Sequence, residues 1–427
     1  MRFHKIAVLG TVALTAFSLA ACSSGSPAKT ADAGPVTLKF QSLSDQPAAI
    51  EATKAIVASW NSANPDIKVD IIQAGWDGVY DKLVTQLSGG AAPDVIHYEA
   101  ASIIPFAKDG YMADLTKFIT PEMKADVSEG VWDSVTVEKK IIALPTQMQT
   151  YVVFANKKAL DAAGVKLPTG DSMSWDTFMQ IAKATTKSGQ YGVAWGLKSP
   201  TATFMSLGMG FGGGYFTGTG KDAKIAIGEG EMAVPKRIHT MAYQDKSIEP
   251  LSLTQAGSKA LATFYAGKAA MTVQGSFQAA NIIKDAPAGF EWVELPPLSG
   301  SAGAAQAANP QTLSVNADSK SVEQAAQFAS FFANAENQVK INLADALIPP
   351  SKKAQDQILK ETGGKNGWTE TLASAKELTS APFLSVDAYT QWKDTIATPA
   401  YQKYLANRID DAGLSKELTD GWAKVNR

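Results

Sequence analysis

Apolar and polar positions follow two alternating periods in the first part of the chain. Residues 36–40, 68–72 and 93–98 show the alternation or short apolar run that is typical of strands. Between them, residues 47–64 and 79–87 each place apolar side chains on one helical face. Regular alternation of strand and helix predicts parallel βαβ units with right-handed crossovers.

The same alternation continues through the middle of the chain and then gives way to helix. Further strands are predicted at residues 140–144, 151–155, 191–195, 269–273 and 290–295. Further helices are predicted at 175–185 and 260–265, and one long helix at 322–341. The small residues 299–308 predict a loop, and the chain after Pro349-Pro350 is predicted to be almost entirely helical. The fold class is therefore α/β.

The N-terminus has the layout of an export signal. Arg2 and Lys5 precede an uncharged run that ends in Leu19-Ala20-Ala21-Cys22. A charged head, a short apolar middle and small residues at the end predict a signal peptide over 1–21. The last four residues resemble a bacterial lipobox, in which the cysteine is lipidated; the alternative is an ordinary signal with a stray cysteine. Residues 22–35 are small and polar, which predicts a flexible linker from a lipid anchor.

Composition narrows the class of ligand. The formal net charge is −2, which favours neither nucleic acid nor a polybasic membrane surface. After residue 21 the chain has three arginines and two histidines, a poor supply for gripping phosphate or transition metals. Nine tryptophans are present, and flat rings suit the apolar face of a sugar. We therefore predict a neutral polyhydroxylated ligand, and neither metal nor cofactor.

Several short motifs occur in an order that covers nearly the whole chain after the linker. They include 89–96 (GGAAPDVI), 109–116 (DGYMADLT), 142–145 (IALP), 264–271 (FYAGKAAM) followed by 275–277 (GSF), and 348–354 (IPPSKKA). In this order they resemble extracellular solute-binding protein family 1, the maltose-binding-protein-like carbohydrate-binding lipoproteins of ABC importers. Two departures are Phe154-Ala155-Asn156, where the family often has Tyr-Asn, and Phe277, where it often has Trp.

The resemblance implies a two-lobed periplasmic-binding-protein-like fold with the ligand between the lobes. Each lobe is expected to hold a mainly parallel sheet flanked by helices, the first built from 36–146 and 300–348, the second from 147–299 and 349–427. Three crossings, near 146–151, 297–301 and 347–351, would then act as hinges. Ligands of open parallel sheets lie beyond the carboxyl ends of the strands, and clefts between domains are favoured sites.

Acidic residues at predicted strand ends are the first candidates for the site. Glu99 follows the strand 93–98, where a carboxylate can accept hydrogen bonds from sugar hydroxyls, or can cap the next helix. Asp45 follows the first strand but also precedes the helix that begins at Pro47, so the capping alternative is slightly favoured. Trp76 opens the helix after the second strand, where it either packs or contacts ligand.

Aromatic residues near glycines form a second group of candidates. Trp195 ends a strand before Gly196, and Phe211 and Tyr215 flank three glycines, as a platform for a sugar ring or as a plain loop. Residues 208–213 match G-x-G-x-x-G, but no clear strand precedes them, so dinucleotide binding is rejected.

A third group of candidates lies at a strand end and at the crossings. Gly275, Ser276 and Phe277 follow the strand 269–273, where backbone N–H groups can donate to hydroxyls and the ring can stack. At the crossings, side chains with donors and acceptors suited to hydroxyl groups are Gln147, Gln149, Tyr151 and Asn309.

The residues show no catalytic set, neither a nucleophile elbow nor a His–Cys pair. We interpret the chain as a monomeric carbohydrate receptor outside the cytoplasm, held at the cell membrane only by lipidated Cys22. It would close on the sugar, perform no chemistry and deliver the sugar to ABC permease subunits. The alternatives are an exported glycoside hydrolase, which needs paired carboxylates, and a binder of peptides or polyamines.

Overall fold

The structure is a computed structural model and describes residues 35–426. The predicted signal peptide, Cys22 and the linker up to residue 34 lie outside the described residues. The strands are β1 (Val36–Ser42), β2 (Ile67–Gln73), β3 (Val95–Glu99), β4 (Thr136–Val137), β5 (Lys140–Ile141), β6 (Leu144–Gln147), β7 (Tyr151–Asn156), β8 (Met173–Ser174), β9 (Tyr191–Trp195), β10 (Phe216–Thr217), β11 (Lys224–Ile225), β12 (Ala269–Gly275), β13 (Trp292–Leu295), β14 (Leu298–Ser299), β15 (Gln306–Ala307), β16 (Gln311–Val315) and β17 (Leu378–Thr379).

The α-helices occupy much of the remaining chain. They are α1 (Pro47–Ala63), α2 (Val79–Ser88), α3 (Ala100–Lys108), α4 (Pro121–Asp126), α5 (Glu129–Asp133), α6 (Lys157–Ala162), α7 (Trp175–Thr185), α8 (Thr201–Gly208), α9 (Glu229–Tyr243), α10 (Gly257–Tyr265), α11 (Gln278–Asp285), α12 (Val322–Phe332), α13 (Ala335–Asp345), α14 (Lys352–Thr362), α15 (Trp368–Ser374), α16 (Tyr389–Trp392), α17 (Thr398–Leu405) and α18 (Asp411–Val425). Within residues 35–426, none of the helices has the length and apolar character needed to cross a bilayer.

The first lobe is built on a five-stranded sheet of order β2-β1-β3-β16-β6. Strand β1 pairs in parallel with both β2 and β3, with helices α1 and α2 in the connections, so the predicted βαβ units are confirmed. Strand β16 runs antiparallel to β3 and β6. On one face of β1, Phe40 packs edge-on against Phe328 and Phe332 of α12 at 5.4 and 5.7 Å, which fixes that helix on the sheet.

The second lobe is built on a four-stranded sheet of order β13-β7-β12-β9. Only β9 and β12 pair in parallel; β7 is antiparallel to both of its neighbours, so this sheet is less parallel than expected. Its core includes Trp175, Phe178 and Phe204, each no more than 1% exposed. The C-terminal helices α16 to α18 complete this core through Trp392 and Trp422.

Two of the three crossings between the lobes lie side by side, close to the predicted positions. Strand β6 belongs to the first sheet and β7 to the second, so the chain crosses at residues 148–150. The third crossing follows α13, and there Ile348 exchanges backbone hydrogen bonds with Met148 at 2.7 and 2.8 Å. These paired segments form the floor between the lobes.

The second crossing lies later in the chain than expected. Ala302 still belongs to the second lobe, because its N–H donates to the Gly210 carbonyl at 2.8 Å. The Gln306 side chain then bonds both backbone groups of Tyr151, at 2.7 and 3.0 Å. The chain rejoins the first sheet only at Gln311, so the first lobe resumes near residue 308 and not at 300.

Two further expectations about the C-terminal third are wrong. Helices α14 and α15 follow the third crossing but pack on the first core through Ala354, Ile358, Trp368 and Leu372, while Thr371 of α15 also donates to Glu294 of β13 at 2.8 Å, so the region after residue 349 contacts both lobes. The single helix expected over 322–341 is two helices, because Asn334 caps α13 by accepting a hydrogen bond from a backbone N–H.

Candidate ligand-binding cleft

A cavity of about 350 Å³ lies between the two lobes, next to the paired crossings. This volume is in the range of small-molecule sites. The residues that line it are Asp45, Trp76, Glu99, Gln147, Met148, Gln149, Tyr151, Ala202, Ser206, Phe277, Ala307, Asn309, Gln311, Asp345, Leu347, Phe383, Leu384 and Tyr389.

Eight of the thirteen predicted ligand-binding residues line this cavity. They are Asp45, Trp76, Glu99, Gln147, Gln149, Tyr151, Phe277 and Asn309. The other five, which are Trp195, Phe211, Tyr215, Gly275 and Ser276, do not.

The first lobe contributes one edge of its sheet to the cavity. Gln311 at the start of β16 is opposite Glu99 at the end of β3 and opposite Gln147 at the end of β6. Because β3 and β6 point the same way and β16 runs against them, these three residues lie in a row at the carboxyl edge. This is where ligands of such sheets bind.

Glu99 is held by side chains, not used as a helix cap. Its Oε1 accepts from the Ser102 hydroxyl at 3.0 Å, and its Oε2 accepts from the Asn309 amide at 3.0 Å. Asn309 Oδ1 accepts a hydrogen bond from the Ala101 N–H at 3.0 Å. Asn309 therefore caps α3, which was the alternative role for Glu99. The half-buried Glu99 carboxylate is thereby oriented at the cavity wall.

The capping alternative for Asp45 also fails, and Trp76 both packs against the first core and lines the cavity. Helix α1 has Gln46 at its N-cap position, with no side-chain cap, and the Asp45 side chain receives no hydrogen bond from any residue in 35–426. Helix α2 begins after Gly78, whose positive φ of 68° makes the turn. The Trp76 ring lies at the cavity, with its centroid 6.1 Å from that of Tyr98.

His97 lies behind Gln311 as a neutral support. Its Nδ1 accepts from the Leu43 N–H at 3.1 Å, so the proton is on Nε2, which donates to Gln311 Oε1 at 2.8 Å. Burial lowers the pKa of His97 to about 4, partly offset by this hydrogen bond. The imidazole is therefore uncharged at neutral pH and fixes the Gln311 side chain.

Asp345 is a cavity residue that the sequence reasoning missed. It ends α13 and accepts a hydrogen bond at 3.0 Å from Gln147, and both side chains are buried. Burial raises the pKa of Asp345 to about 6; the negative charge of Asp45 adds to the rise and the Gln147 bond opposes it. No local pattern marks this residue, because only the packing of α13 against β6 brings it to the cavity.

The second lobe contributes Phe277, which lies close to its own backbone. A Cβ on Gly275 would be 2.5 Å from a Phe277 ring carbon and 3.1 Å from Gln149 Oε1, so only glycine fits there. Ser276 is fully buried and its N–H donates to the Thr150 carbonyl at 2.8 Å. Gly275 and Ser276, which were expected to donate to ligand, do not line the cavity in this structure; they position Phe277.

Three predicted aromatic candidates lie in the second core instead. Trp195 is 2% exposed and stacks on Trp175 at 6.5 Å. Tyr215 is 1% exposed and donates its O–H to the Glu231 carbonyl at 3.0 Å. The Phe211 ring lies under the Arg237 guanidinium at 4.3 Å. The adjacent glycines allow tight backbone packing, as Gly213 against Gly230, and do not form a flexible platform.

The aromatic rings that do face the cavity from the second lobe include two that were not predicted, Phe383 and Tyr389. Burial raises the pKa of the Tyr389 hydroxyl well above its usual value, and the charge of Glu99 is the next cause. Tyr389 therefore lies near Glu99 across the lobes. Beyond it, Lys108 of α3 forms an ion pair with Asp387.

The sequence matches the family of bacterial extracellular solute-binding proteins over residues 44–339. The chain belongs to this family. The resemblance and the two-lobed α/β fold class inferred from the sequence are thereby confirmed.

The chain is similar to other proteins both in sequence and in structure. An uncharacterised lipoprotein in the oleD 5′ region of Streptomyces antibioticus is 38% identical, over 90% of this chain and 85% of that one. In structure, the chain is similar to the ABC substrate-binding protein Lmo0181 of Listeria monocytogenes in complex with cycloalternan, with a TM-score of 0.76 and 22% identity over 92% and 98% of the two chains. It is equally similar to the GacH receptor of Streptomyces glaucescens, solved unliganded and with acarbose, with a TM-score of 0.76 and 20% identity over 91% and 98%.

Proposed function

We propose that this solute-binding protein is a carbohydrate receptor that closes its cleft on a sugar and delivers it to an ABC import permease. The observation that supports this most is the composition of the cavity wall. Carboxylates and amides of the first lobe face the rings of Tyr151, Phe277 and Tyr389 from the second. Amide and carboxylate groups match hydroxyls, and ring faces match the C–H face of a sugar.

We also propose that the receptor is monomeric and is tethered outside the cytoplasm through a lipid on Cys22. The Leu19–Cys22 motif supports this, as does the description of the Streptomyces antibioticus relative as a lipoprotein. Mass spectrometry of the membrane-extracted protein should show an acylated Cys22 at the mature N-terminus, and Cys22→Ala should abolish the acyl mass. A mature N-terminus elsewhere, without acyl mass, contradicts the tether.

The enzyme alternative makes a different use of Glu99. A glycoside hydrolase needs one carboxyl group as acid and a second across the scissile bond. Here Glu99 accepts hydrogen bonds from Ser102 and Asn309, an arrangement that orients its carboxylate oxygens as acceptors for hydroxyl groups. The proposal therefore expects no turnover of chromogenic glycosides, and measurable turnover lost in Glu99→Gln would favour the hydrolase.

A melting-temperature screen against mono- and oligosaccharides tests the proposed function. A ligand at a hundred times its Kd stabilises the folded state by about 2.7 kcal/mol, which a thermal shift detects. At least one saccharide should raise the melting temperature, and solution scattering with that sugar at saturation should show a smaller radius of gyration, as closure of the cleft requires. If peptides or polyamines shift the melting temperature and no saccharide does, the carbohydrate assignment is wrong.

A further inference from the structure

The charged side chains that line the cavity are all carboxylates. They are Asp45, Glu99 and Asp345, and all three come from the first lobe. None of them forms an ion pair with a cation among residues 35–426. The nearest histidine, His97, is neutral at pH 7 for the reason given above. The wall opposite the aromatic rings is therefore negatively charged.

Two of these carboxylates have oxygens left for a ligand. Asp345 is only 7% exposed, and while its Oδ2 accepts from Gln147, its Oδ1 receives no hydrogen bond from the described residues. The Asp45 carboxylate likewise receives none from them. Asp45 contributes to raising the pKa of Asp345, so the two groups are near enough to repel each other. A positive charge placed between them would remove that repulsion.

We propose that the saccharide bound in this cleft carries a protonated amine, which lies against Asp45 and Asp345. This inference rests on the proposed function, because it adds a charge to a sugar already assigned to the cavity. An ammonium group donates three hydrogen bonds and accepts none, which matches oxygens that lack donors. Glu99 differs, since each of its oxygens already accepts one hydrogen bond, from Ser102 or Asn309, and its remaining lone pairs can accept from neutral hydroxyls.

The aromatic wall argues for a sugar amine over a linear polyamine. Five aromatic side chains line the cavity, including Tyr151, Phe277 and Tyr389 opposite the carboxylates. A ring-shaped ligand can lie flat on these faces while one substituent reaches the acidic wall. A flexible polyamine carries positive charge at both ends. Among residues 35–426, the carboxylates that line the cavity all lie on the first-lobe side, so only one end of a polyamine would meet negative charge.

Pairs of sugars that differ only in amine groups in place of hydroxyl groups test the inference. Titration calorimetry at pH 7 and low salt would compare glucosamine with glucose, galactosamine with galactose, and chitobiose with cellobiose. In at least one pair the amine-bearing sugar should bind tenfold or more tighter than its hydroxyl counterpart. Raising NaCl to 0.5 M should narrow that ratio, because salt screens the attraction.

Matched variants assign the preference to the acidic wall. Asp45→Asn should reduce the amine-to-hydroxyl ratio severalfold without lowering the melting temperature, because Asp45 makes no hydrogen bonds to the described residues and its loss relieves repulsion with Asp345. Asp356→Asn, an exposed acid on α14, removes the same charge elsewhere and should leave the ratio unchanged. A ratio that falls equally in both variants overturns the assignment.

The remaining outcomes separate this inference from the proposed function. If a hydroxyl sugar binds at least as tightly as its amine counterpart in every pair, the amine is wrong and the carbohydrate receptor stands. If spermidine or putrescine binds and no sugar does, both proposals are wrong. A wild-type protein that binds none of the amine-bearing sugars also contradicts the inference.

Discussion

Replacing Asp345 with asparagine should stabilise the ligand-free protein at neutral pH but not at acidic pH. Burial and the nearby Asp45 raise the pKa of Asp345 from 3.8 to about 6. As pH rises, the Asp345 carboxyl loses its proton in the unfolded chain before it does so in the folded protein. The contribution of the protonated carboxyl to the free energy of unfolding is therefore complete below pH 3.8 and is lost by about pH 6. Two pKa units at 1.36 kcal/mol each correspond to about 3 kcal/mol.

The asparagine side chain of this variant would stay neutral at every pH and can still accept the hydrogen bond from Gln147. The free energy of unfolding of Asp345→Asn should therefore exceed that of wild type by up to about 3 kcal/mol at pH 7. This difference should become smaller as pH falls and should stop changing near pH 4. That is a sizeable part of a typical folding free energy.

Urea unfolding followed by tryptophan fluorescence at pH 4, 5, 6, 7 and 8 measures this difference, with Asp356→Asn as the exposed control. The control should differ little from wild type at each pH. A difference between Asp345→Asn and wild type that does not change with pH, or that favours wild type at pH 7, would refute the reasoning.

Three further substitutions separate positioning from packing. Gly275→Ala places a Cβ 2.5 Å from the Phe277 ring, so sugar affinity should fall about tenfold by calorimetry at an overpacking cost of about 1–3 kcal/mol in urea unfolding. Asn309→Ala removes the donor to Glu99 and the α3 cap, so both affinity and stability should fall, the latter by about 1–3 kcal/mol. Trp195→Ala should lower the free energy of unfolding by about 3–5 kcal/mol and leave sugar affinity unchanged, because Trp195 is 2% exposed and lies outside the cavity. A large loss of sugar affinity would show instead that Trp195 acts on the binding site.

The candidate residues that the structure brings to the cavity share one physical feature. Glu99 and Phe277 follow strands, and the carboxyl ends of strands in α/β sheets face the ligand. Gln147, Gln149 and Tyr151 lie at a crossing, which a change of sheet makes recognisable. In these cases the local alternation of apolar and polar residues predicts the strand and where it ends. The end of the strand then predicts that the side chain lies at the cavity.

The residues that were missed depend on long-range packing. Asp345 and Tyr389 lie in or beside helices that no periodicity assigns to the cleft. The same limit explains why the contacts of α14 and α15 with the first core were not expected, because a helical pattern indicates which face is apolar and not which core that face meets. Trp195 and Tyr215 fit the aromatic composition expected of a sugar site, but large rings also fill cores.

Titration calorimetry of the purified protein with its best saccharide, in wild type, Glu99→Gln and Phe277→Ala, tests the sugar site most directly. The account predicts one-to-one binding that weakens about tenfold or more in each variant, because Glu99 supplies charge-assisted hydrogen bonds of about 1.5–3 kcal/mol and Phe277 supplies stacking. Thermal melting measured in parallel should give Glu99→Gln the same melting temperature as wild type. Sugar affinity that both substitutions leave unchanged would contradict the placement of the ligand in this cleft.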